Sequence, residues 1–454
     1  MTDRTIMWFR RDLRLSDNPA LVAAHARGRP VVPLFVVDPA LWGPAGANRR
    51  AFLAGCLRAL DDDSGGTLVV RHGDPAEVLP ALAREVDASA VYAAADFGPY
   101  GRRRDDAVAE ALAADDRELV LEGSPYAVEP GTVLNKEGEP YKVFTPFLKA
   151  WRQVGWPAPV RRPVGLGWVS GVESDALPEV EPTADELPDP GEQAARRRLD
   201  SFLRTHVERY ADRRNDPGVD GTSRLSPYLK WGCLHPRQIL NRLGDTEGAA
   251  TFRTELAWRE FYADVLFHRP DTARAAFREA MAAMAVDEGP DTDEAFTAWC
   301  EGRTGYPIVD AGMRQLLTEG WMHNRVRMIA ASFLVKDLHL DWTRGARHFM
   351  AHLVDGDLAS NQHGWQWVAG TGTDAAPYFR VFNPVTQSRR FDPDGTYLRR
   401  WLPELADLDD VAIHEPWTAD PTLFAEGTGS GYPPPIVDHA TERAEALARY
   451  AELG

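Results

Sequence analysis

Residues 353–367 bring together the side chains of this chain that are best suited to chemistry. Their sequence, LVDGDLASNQHGWQW, holds two carboxylates, an amide and two indoles within fifteen positions. On a helix, Asn361 and Trp365 are one turn apart and share a face, whereas Trp365 and Trp367 point to different sides. We therefore expect one indole to serve a buried cofactor and the other to meet a ligand.

Other blocks along the chain extend this pattern. They are WFRRDLR at 8–14, ELAWREFY at 255–262, GYPIVDAGM at 305–313, GWMHNRVRM at 320–328, ASFLVKDL at 331–338 and GYPPPI at 431–436. Together with residues 353–367 they closely resemble the photolyase/cryptochrome family, and specifically its class I microbial cyclobutane pyrimidine dimer photolyases. The resemblance runs over nearly the whole chain. It implies a lyase of DNA repair, a flavoprotein that uses FAD and light to split pyrimidine dimers in damaged DNA.

The composition is that of a globular protein. The chain has 454 residues, 44% of them hydrophobic, which suggests about two to four domains with sizeable cores. Its three cysteines, Cys56, Cys233 and Cys300, are far apart in the sequence and make no CxxC pair, so neither a disulfide framework nor a zinc site is predicted. An apolar run begins within a few residues of the N-terminus and none reaches membrane-spanning length. We expect a cytoplasmic monomer that binds no membrane and no metal.

The net charge of −17 argues by itself against nucleic-acid binding, because phosphate contacts need Lys and Arg. The local balance is different. Between Trp321 and Arg400 there are ten basic and seven acidic side chains, a surplus of three positive charges in an otherwise acidic chain. The surplus coincides with the aromatic motifs, so we expect DNA to bind there.

Apolar runs alternate with Ala- and Leu-rich helical segments in the first part of the chain. The strand-like runs are Thr5–Phe9, Val31–Val37, Leu68–Arg71, Ala90–Ala95 and Leu119–Leu121. Such alternation predicts an open parallel α/β sheet. A Pro-rich, acidic stretch follows at 163–192, after which the pattern is helical. We predict an α/β N-terminal Rossmann-like parallel-sheet domain at 1–130, an interdomain linker at 131–195, and a large all-α C-terminal FAD-binding domain at 196–454.

The helical region lacks a Gly-x-Gly-x-x-Gly turn, so a flavin there would not sit on a Rossmann phosphate loop. In its place stands GTSRLS at 221–226, whose small residues leave N–H groups and hydroxyls open to a pyrophosphate. A Ser/Thr-rich helix cap is the alternative interpretation. By the resemblance, the residues that line the FAD phosphates are Tyr210, Thr222, Ser223, Leu225 and Ser226.

The resemblance also implies a set of residues around the flavin and ribose, which are Arg259, Asp355, Asp357 and Asn361. An Arg327–Asp355 ion pair beside the ring and the Asn361 amide near N5 would tune the flavin, which is what a protein does for such a cofactor. A buried Arg–Asp pair that only clamps two helices is the structural alternative.

A dimer buried in duplex DNA cannot reach a flavin, so the lesion must leave the base stack. By the resemblance, the pocket that receives it is formed by Glu255, Trp258, Asn324, Met328 and Trp367. Glu255 would hydrogen-bond a pyrimidine carbonyl and, if protonated, stabilise the dimer after electron transfer. Arg325 would hold a DNA phosphate, and Trp258 and Trp367 would contact the DNA lesion as walls of the pocket.

In this family, three indoles relay an electron from the surface to oxidised flavin. The inner two match Trp365 and Trp342. The outer one should lie ten residues before Trp299, at a position occupied by Gly289. We therefore expect slower or rerouted photoreduction, for which Tyr306, Tyr397 or Trp401 are the replacement candidates.

The N-terminal domain is expected to hold an antenna chromophore. Arg49 and Asp96 match the positions that bind 8-hydroxy-5-deazaflavin in the deazaflavin-type members of the family, and Lys230 completes the set. Methenyltetrahydrofolate is the alternative antenna. A helix-capping charge at Arg49 and a strand-end carboxylate at Asp96 are the structural alternatives.

Three other functions compete with dimer repair. A cryptochrome-type blue-light photoreceptor keeps the FAD site but usually alters the dimer pocket, which is retained here. An enzyme for the six-four photoproduct would place histidines at the boundary of flavin and lesion, whereas His323 fits the dimer-type motif. A plain flavin oxidoreductase would oxidise NADH without a DNA substrate.

Overall fold

β-branched and aromatic residues form the strands of a parallel sheet near the N-terminus. The computed structural model describes residues 4–373, 379–419 and 431–453. The strands are β1 Arg4–Phe9, β2 Val31–Val37, β3 Val69–His72, β4 Ala88–Ala93 and β5 Glu118–Leu121. They pair in the order β3-β2-β1-β4-β5, with every neighbouring pair parallel. The expected Rossmann-like parallel sheet is confirmed, and the strand bounds differ from the prediction by at most two residues.

The strand order creates a switch point in this sheet. The chain moves from β1 outward through β2 to β3, and then returns to place β4 on the other side of β1. Ligands of open α/β sheets bind at the carboxyl ends of the strands where the order reverses. Here those ends lead into Arg10 after β1 and Ala94 after β4.

Helices follow the strands and make up nearly all of the regular structure after residue 122. Those of the first 270 residues are α1 Pro19–Ala26, α2 Pro39–Trp42, α3 Ala47–Asp63, α4 Pro75–Glu85, α5 Pro99–Ala113, α6 Phe144–Val154, α7 Glu192–Thr205, α8 Tyr210–Arg213, α9 Ser226–Trp231, α10 Pro236–Leu240 and α11 Glu247–His268. The later ones are α12 Pro290–Cys300, α13 Pro307–Glu319, α14 Asn324–Lys336, α15 Trp342–His352, α16 Leu358–Ala369, α17 Pro384–Phe391, α18 Thr396–Trp401, α19 Pro416–Ala419 and α20 His439–Ala451. Short 3₁₀ turns lie at Val207–Arg209, Pro270–Ala273, Glu279–Ala283, Pro403–Leu405 and Ala412–His414.

The chain divides into two compact units that do not follow its order. Unit 1 contains Met1–Pro182, Pro188–Glu208 and Ser223–Pro270, and unit 2 contains Thr183–Leu187, Arg209–Thr222 and Asp271–Gly454. Unit 1 thus holds the sheet and also α7 and α9–α11. The segment proposed as a linker, 131–195, contains helix α6 and the first residues of α7.

Side-chain caps begin the helices that carry the conspicuous residues of unit 2. His323 caps α14 through Arg325 N, Asp341 caps α15 through Thr343 N, and Asp357 caps α16 through Ser360 N. Each cap satisfies one of the N–H groups that a helix leaves unpaired at its start. Most of the stretch at 353–367 is thus helical, which is the condition under which Asn361 and Trp365 share a face, and Trp365 is buried whereas Trp367 is half-buried.

Helices α13–α16 of unit 2 enclose an apolar core around Trp365. Their packing is close enough that a Cβ on Gly345 of α15 would lie 2.1 Å from Cη2 of this indole. In the described parts of the chain, no helix is both long and apolar enough to cross a membrane. The same residues contain no group of His, Cys, Asp and Glu that could hold a metal ion.

Candidate functional site

The turn at 221–226 leads into helix α9. In unit 1, Leu225 is the N-cap of α9 and makes no side-chain capping bond, while its own N–H donates to Ser223 Oγ at 3.4 Å, so a Ser-based turn precedes the helix. Arg198 Nε instead donates to the carbonyl of Ser223 at 2.8 Å. Because the first N–H groups of α9 lack a capping side chain, backbone donors near Ser226 can meet an anionic phosphate.

The unit 2 side of this turn is tightly packed. A Cβ on Gly221 would lie 3.1 Å from Cβ of Arg213, so a larger residue would push the turn outward. Tyr210, the first residue of α8, is 7% exposed. Thr222 continues from Gly221 with a partly buried side chain. The small residues expected of a phosphate turn thus have a packing reason as well as a binding reason.

Arg259 on α11 makes its observed contacts within unit 1. Its guanidinium donates to the carbonyls of Pro125 and Leu229 at 3.1 and 3.2 Å, and lies 4.6 Å from the ring centroid of Tyr126. These contacts join α11 to the end of α9 and to the segment after the sheet. A flavin contact from Arg259 remains a prediction.

Arg327 on α14 and Asp355 before α16 form an ion pair in unit 2. Nη2 of Arg327 donates to both carboxylate oxygens at 2.9 and 3.2 Å, and its Nε donates to the Met322 carbonyl at 2.8 Å. The Asp355 side chain is 3% exposed and that of Arg327 is 24% exposed. The pair fixes the guanidinium plane and leaves one edge of it accessible.

The amide of Asn361 is oriented by the neighbouring helix. Its Nδ2 donates to the Ala346 carbonyl of α15 at 3.1 Å and to Gln362 Oε1 at 2.9 Å. Among the described residues, its Oδ1 accepts no hydrogen bond. The carbonyl oxygen is thus held in place as an acceptor without a protein donor.

Two further features of α16 fit a bound flavin. A Cβ on Gly364, which lies one turn from Asn361, would meet no atom within 4 Å. Nε1 of the adjacent Trp365 is buried and has no hydrogen-bond partner among the described residues. Open space beside an oriented amide and a buried, unpaired donor is what a planar group with polar edges requires. The residues present therefore fit FAD.

The start of α14 presents the unit 2 part of the expected lesion pocket. Asn324 is exposed, and its Nδ2 lies 4.0 Å from Sδ of Met328 one turn later. Arg325 donates to Asn215 Oδ1 at 2.9 and 3.2 Å and lies 4.4 Å from the ring centroid of Phe391. His323 serves as the N-cap of this helix, which agrees with a structural role in the motif.

Glu255 and Trp258 lie one turn apart on α11 in unit 1, as the helical spacing predicts. The indole of Trp258 is stacked on Phe144 of α6 with centroids 3.6 Å apart and an interplanar angle of 10°. Tyr262 lies 5.4 Å from the same indole. One face of Trp258 is therefore fixed by an aromatic neighbour that could not be expected from the spacing of residues.

The buried indoles of unit 2 contact one another. The ring centroid of Trp365 lies 6.1 Å from that of Trp299 and 4.9 Å from that of Phe349. Trp342 is the first residue of α15, one turn before Gly345, which abuts the Trp365 ring. Trp342 is therefore on the face of α15 that packs on Trp365. The helical spacing of Phe296 and Trp299 could have indicated that this face of α12 is buried, but not that Trp299 contacts Trp365.

Gly289 has a backbone conformation that few other residues adopt. It is the N-cap of α12 with φ +119° and ψ −179°, although a Cβ there would meet nothing within 4 Å. The space is open, but the torsion angles disfavour any residue with a side chain. A tryptophan at this position would require the start of α12 to change its path.

The switch point of the sheet in unit 1 carries a buried ionic cluster. Arg10 forms an ion pair with Asp105 and donates to the Ala94 carbonyl, which joins the ends of β1 and β4. Arg104 pairs with Asp96 at 3.3 Å and with Asp105 at 2.9 Å. Burial acts to raise the pKa of Asp96, but the nearby guanidinium groups, Arg104 foremost, outweigh it and leave that pKa below its usual value. Asp96 is thus an ionised carboxylate close after β4, at the edge where open α/β sheets commonly bind ligands.

The other two expected antenna residues belong to elements that touch in unit 1. Arg49 is the third residue of α3 and is 5% exposed, and Lys230 lies in the last turn of α9. Cys56 of α3 and Cys233, just after α9, have Sγ atoms 3.5 Å apart with both thiols reduced. This contact joins α3 to the end of α9, and it could not be predicted because the two cysteines are far apart in the sequence.

A lysine and an arginine that the sequence interpretation passed over lie beside Trp367. Lys336 is 1% exposed at the end of α14, and the guanidinium carbon of Arg380 is 5.5 Å from the Trp367 ring centroid. The sequence signal that could have pointed to Lys336 is a lysine that directly follows the apolar run of ASFLVKDL at 331–338.

Comparison with known proteins identifies both parts of the chain. The family model "DNA photolyase" matches residues 5–164, and the model "FAD binding domain of DNA photolyase" matches residues 252–452. A deoxyribodipyrimidine photo-lyase of Streptomyces griseus is 44% identical over 451 residues, with 97% of each chain covered.

Solved structures agree with this match. A class III photolyase from Agrobacterium tumefaciens superposes with a TM-score of 0.92 at 38% identity, covering 100% of this chain and 98% of that one. A Sulfolobus tokodaii photolyase with two FAD molecules gives 0.85 at 30% identity, covering 99% and 100%. A Synechocystis cryptochrome gives 0.86 at 27% identity, covering 98% and 99%. With an α/β sheet domain, a helical FAD-binding domain and relatives of this similarity over its full length, the chain belongs to the DNA photolyase family.

Proposed function

We propose that this protein repairs cyclobutane pyrimidine dimers in DNA by light-driven electron transfer from reduced FAD to a dimer that has left the base stack. Full-length relatives that bear the name deoxyribodipyrimidine photo-lyase support this proposal. Bound FAD, when reduced and excited by light, would supply the electron. The residues of this chain have to bind the lesion, exclude water and set the electrostatics.

The observation that carries the proposal is the arrangement of side chains on α14. Asn324, Arg327 and Met328 lie one turn apart on one face of this helix. Arg327 is held by Asp355, whereas Asn324 and Met328 form a contact at the accessible start of the helix. A single rigid helix would therefore hold the flavin-side ion pair next to the lesion-side amide and thioether, which keeps the donor and acceptor of the electron close together.

On the flavin side, the proposed contacts are an ion pair and an oriented amide. The accessible edge of the Arg327 guanidinium would stabilise negative charge at N1, because Asp355 neutralises only part of it. Asn361 would offer Oδ1 toward N5, since its Nδ2 is held by the Ala346 carbonyl. Tyr210, Thr222, Ser223, Leu225 and Ser226 would hold the phosphates, and Arg259 and Asp357 the ribose side.

On the lesion side, Trp258 and Trp367 would form aromatic walls, and Asn324 and Met328 would complete the pocket. The stacking of Trp258 on Phe144 supports this role, because a wall that is already immobilised loses little entropy when a pyrimidine of the lesion packs on it. Glu255, one turn from Trp258, would in its protonated form donate a hydrogen bond to a pyrimidine carbonyl. Arg325 would contact a DNA phosphate, with Phe391 supporting its guanidinium.

We further propose that Trp365 and Trp342 carry electrons to oxidised flavin and that the relay is slow beyond them. Its outer position is Gly289, and no indole can be accommodated there without a change of backbone conformation. Tyr306 and Tyr397 are both buried, and their hydroxyls donate to Val437 and Gln315 respectively. Repair by flavin that is already reduced does not need this path.

We propose an antenna site at the switch point of the sheet, with Arg49, Asp96 and Lys230 as ligands. The ionised state of Asp96 and the contact between α3 and the end of α9 support it. The chromophore we favour is 8-hydroxy-5-deazaflavin, and methenyltetrahydrofolate is the alternative. Absorption spectra of protein loaded with each chromophore, with Asp96→Asn as the variant, separate them.

The substrate is tested in the dark. FAD-loaded, reduced protein is titrated with a labelled oligonucleotide that contains one thymine cyclobutane dimer, with the undamaged oligonucleotide as competitor. The proposal predicts strong preference for the dimer, which Asn324→Ala weakens without loss of FAD. Equal affinity for the two oligonucleotides contradicts it and favours a cryptochrome-type photoreceptor.

A further inference from the structure

A buried ammonium lies behind the proposed lesion pocket, at the end of the helix that begins with Asn324. Lys336 is 1% exposed, and its Nζ donates to the main-chain carbonyl of Arg380 at 3.0 Å. The same Nζ lies 3.2 Å from the ring centroid of Phe379. Within the described residues, this one carbonyl and one aromatic face are its polar contacts.

These contacts tie down the segment that supports Trp367. Arg380 lies over the Trp367 ring at 5.5 Å, and Phe379 is stacked on Tyr450 of α20 with centroids 4.5 Å apart. The N–H of Phe382 donates to Ser332 Oγ of α14 at 3.4 Å. Lys336 thus fixes the backbone at the residue whose side chain covers one face of the indole.

The cavity between these groups has a positive lining. Arg278, Lys336 and Arg380 line it together with Ser332, Trp367 and Tyr450, and no carboxylate does so within the described residues. Asp337, the next residue of the chain, is an acidic group whose charge acts on Lys336, and its carboxylate is engaged by His439 Nδ1 at 2.5 Å. Beyond it, His339 is bonded to Glu442 of α20 at 2.8 Å.

This environment weakens the hold of Lys336 on its proton. Burial lowers its pKa from 10.5 to about 7, and the charge of Asp337 opposes that effect only in part. A buried ammonium with one carbonyl acceptor gains little from hydrogen bonding to offset its lost solvation. Near neutral pH, the charged and neutral forms of this side chain are therefore both populated.

We propose that Lys336 is a positioning residue for the lesion pocket, which holds the Phe379–Arg380 segment against Trp367 and takes up a proton when dimer-containing DNA binds. This inference rests on the proposed function, because Trp367 matters only if it forms a wall of the pocket. A DNA polyanion near the cavity favours the charged form of Lys336, and the charged form holds the Arg380 carbonyl and the Phe379 ring more firmly.

Linkage fixes the sign of the effect. If DNA binding favours the protonated form, affinity is greatest when the solution supplies the proton and falls as the pH rises above neutrality. If Lys336 binds its proton ten times more tightly in the DNA complex than in the free protein, the affinity for DNA is up to about tenfold lower at high pH than at low pH. We expect a loss of about three- to tenfold between pH 6 and pH 8.5.

The test compares dissociation constants across this pH range for FAD-loaded wild type, Lys336→Met and Lys136→Met. Met keeps the length of the apolar stem and removes the charge, and Lys136 is an exposed lysine in a turn, so its variant controls for the lost charge. We expect Lys336→Met to bind the dimer oligonucleotide more weakly at pH 6 and with a flatter pH profile, while Lys136→Met follows wild type. A profile in Lys336→Met as steep as that of wild type overturns the inference.

A second measurement follows the titration of Lys336 in wild type. The chain has five lysines, so selective ¹³Cε labelling gives a small set of signals, in which that of Lys336 is assigned by its absence from Lys336→Met. The proposal predicts that adding the dimer oligonucleotide moves its titration midpoint upward, and an unmoved midpoint overturns it. Wild type that does not prefer the dimer to undamaged DNA refutes the proposed function, whereas a clear preference with an unmoved midpoint refutes this inference alone.

Discussion

Replacing Gly345 by alanine should destabilise unit 2 by crowding the indole of Trp365. The added methyl group would lie 2.1 and 2.6 Å from Cη2 and Cζ3 of Trp365 and 2.5 Å from Cδ2 of Leu334. Both neighbours are buried, so the ring cannot swing into solvent. Either α15 moves away from α16 or the indole leaves its present rotamer.

The size of the effect follows from two opposing terms. Alanine is favoured over glycine inside a helix by about 1 kcal/mol. Overpacking a core by one carbon costs about 1–3 kcal/mol, and three contacts below 3.0 Å put Gly345→Ala near the upper end of that range. The net destabilisation is about 2 kcal/mol.

Gly244→Ala is the matched control for this substitution. Gly244 has no positive φ, and its Cβ would meet nothing within 4 Å, so the same substitution there should leave stability unchanged or raise it by about 0.5 kcal/mol. Urea unfolding of FAD-loaded protein, followed by circular dichroism, compares the midpoints at constant slope. A Gly345→Ala protein as stable as Gly244→Ala would refute the packing of α15 on Trp365.

Three further perturbations test other parts of the account. Glu255→Ala should retain FAD but lower the yield of light-driven splitting by about tenfold, which is the value of one hydrogen bond to the dimer once it carries the transferred electron. Glu247→Ala, at an exposed position of the same helix, should match wild type, and equal yields in the two variants would remove the Glu255 carboxyl group from the mechanism. Burial lowers the pKa of His363 to about 4, so this residue contributes stability that is present above about pH 6.5 and is lost as the pH falls toward 4. Over that range the free energy of unfolding in urea should fall by roughly 3 kcal/mol less for His363→Gln than for wild type, and equal losses in the two proteins would contradict this. Gly289→Trp should speed photoreduction of oxidised FAD by an external donor, because it restores the outer indole of the relay. It should also lower the melting temperature, because a side chain at φ +119° is strained; an unchanged rate would show that electrons already reach the flavin by another path.

The strands were predictable because their local sequence carries the information. Runs such as Val31–Val37 are rich in valine and are buried along their whole length, as a central parallel strand requires. The order of the strands was not predictable in the same way, since the position of β4 beside β1 depends on how α1 and α4 pack rather than on β4 itself. The resemblance to a family supplied what the local pattern could not.

The candidate site was predictable where residues lie on one helix. Helical spacing predicts that Asn324 and Met328 share a face, as do Glu255 and Trp258, whereas their place in a lesion pocket is implied by the resemblance. Contacts between distant segments could not be read from spacing. Phe144 on Trp258 was missed, since 144 falls in a segment interpreted as linker.

Lys336 illustrates a different limit. Its sequence neighbourhood, FLVKDL, shows a charge beside apolar residues but does not say whether the chain will bury it. Burial arises because the segment after residue 378 returns to cover the end of α14. The energetic consequence, a lysine near its neutral form, becomes evident only when that cover is known.

The most direct test of the central claim is light-driven repair itself. Reduced, FAD-loaded protein is incubated without oxygen with DNA that contains thymine cyclobutane dimers, illuminated with near-ultraviolet or blue light beside a dark control, and the remaining dimers are counted. We expect loss of dimers in the illuminated sample and none in the dark. Persistence of the dimers under light, with FAD bound and reduced, would contradict it.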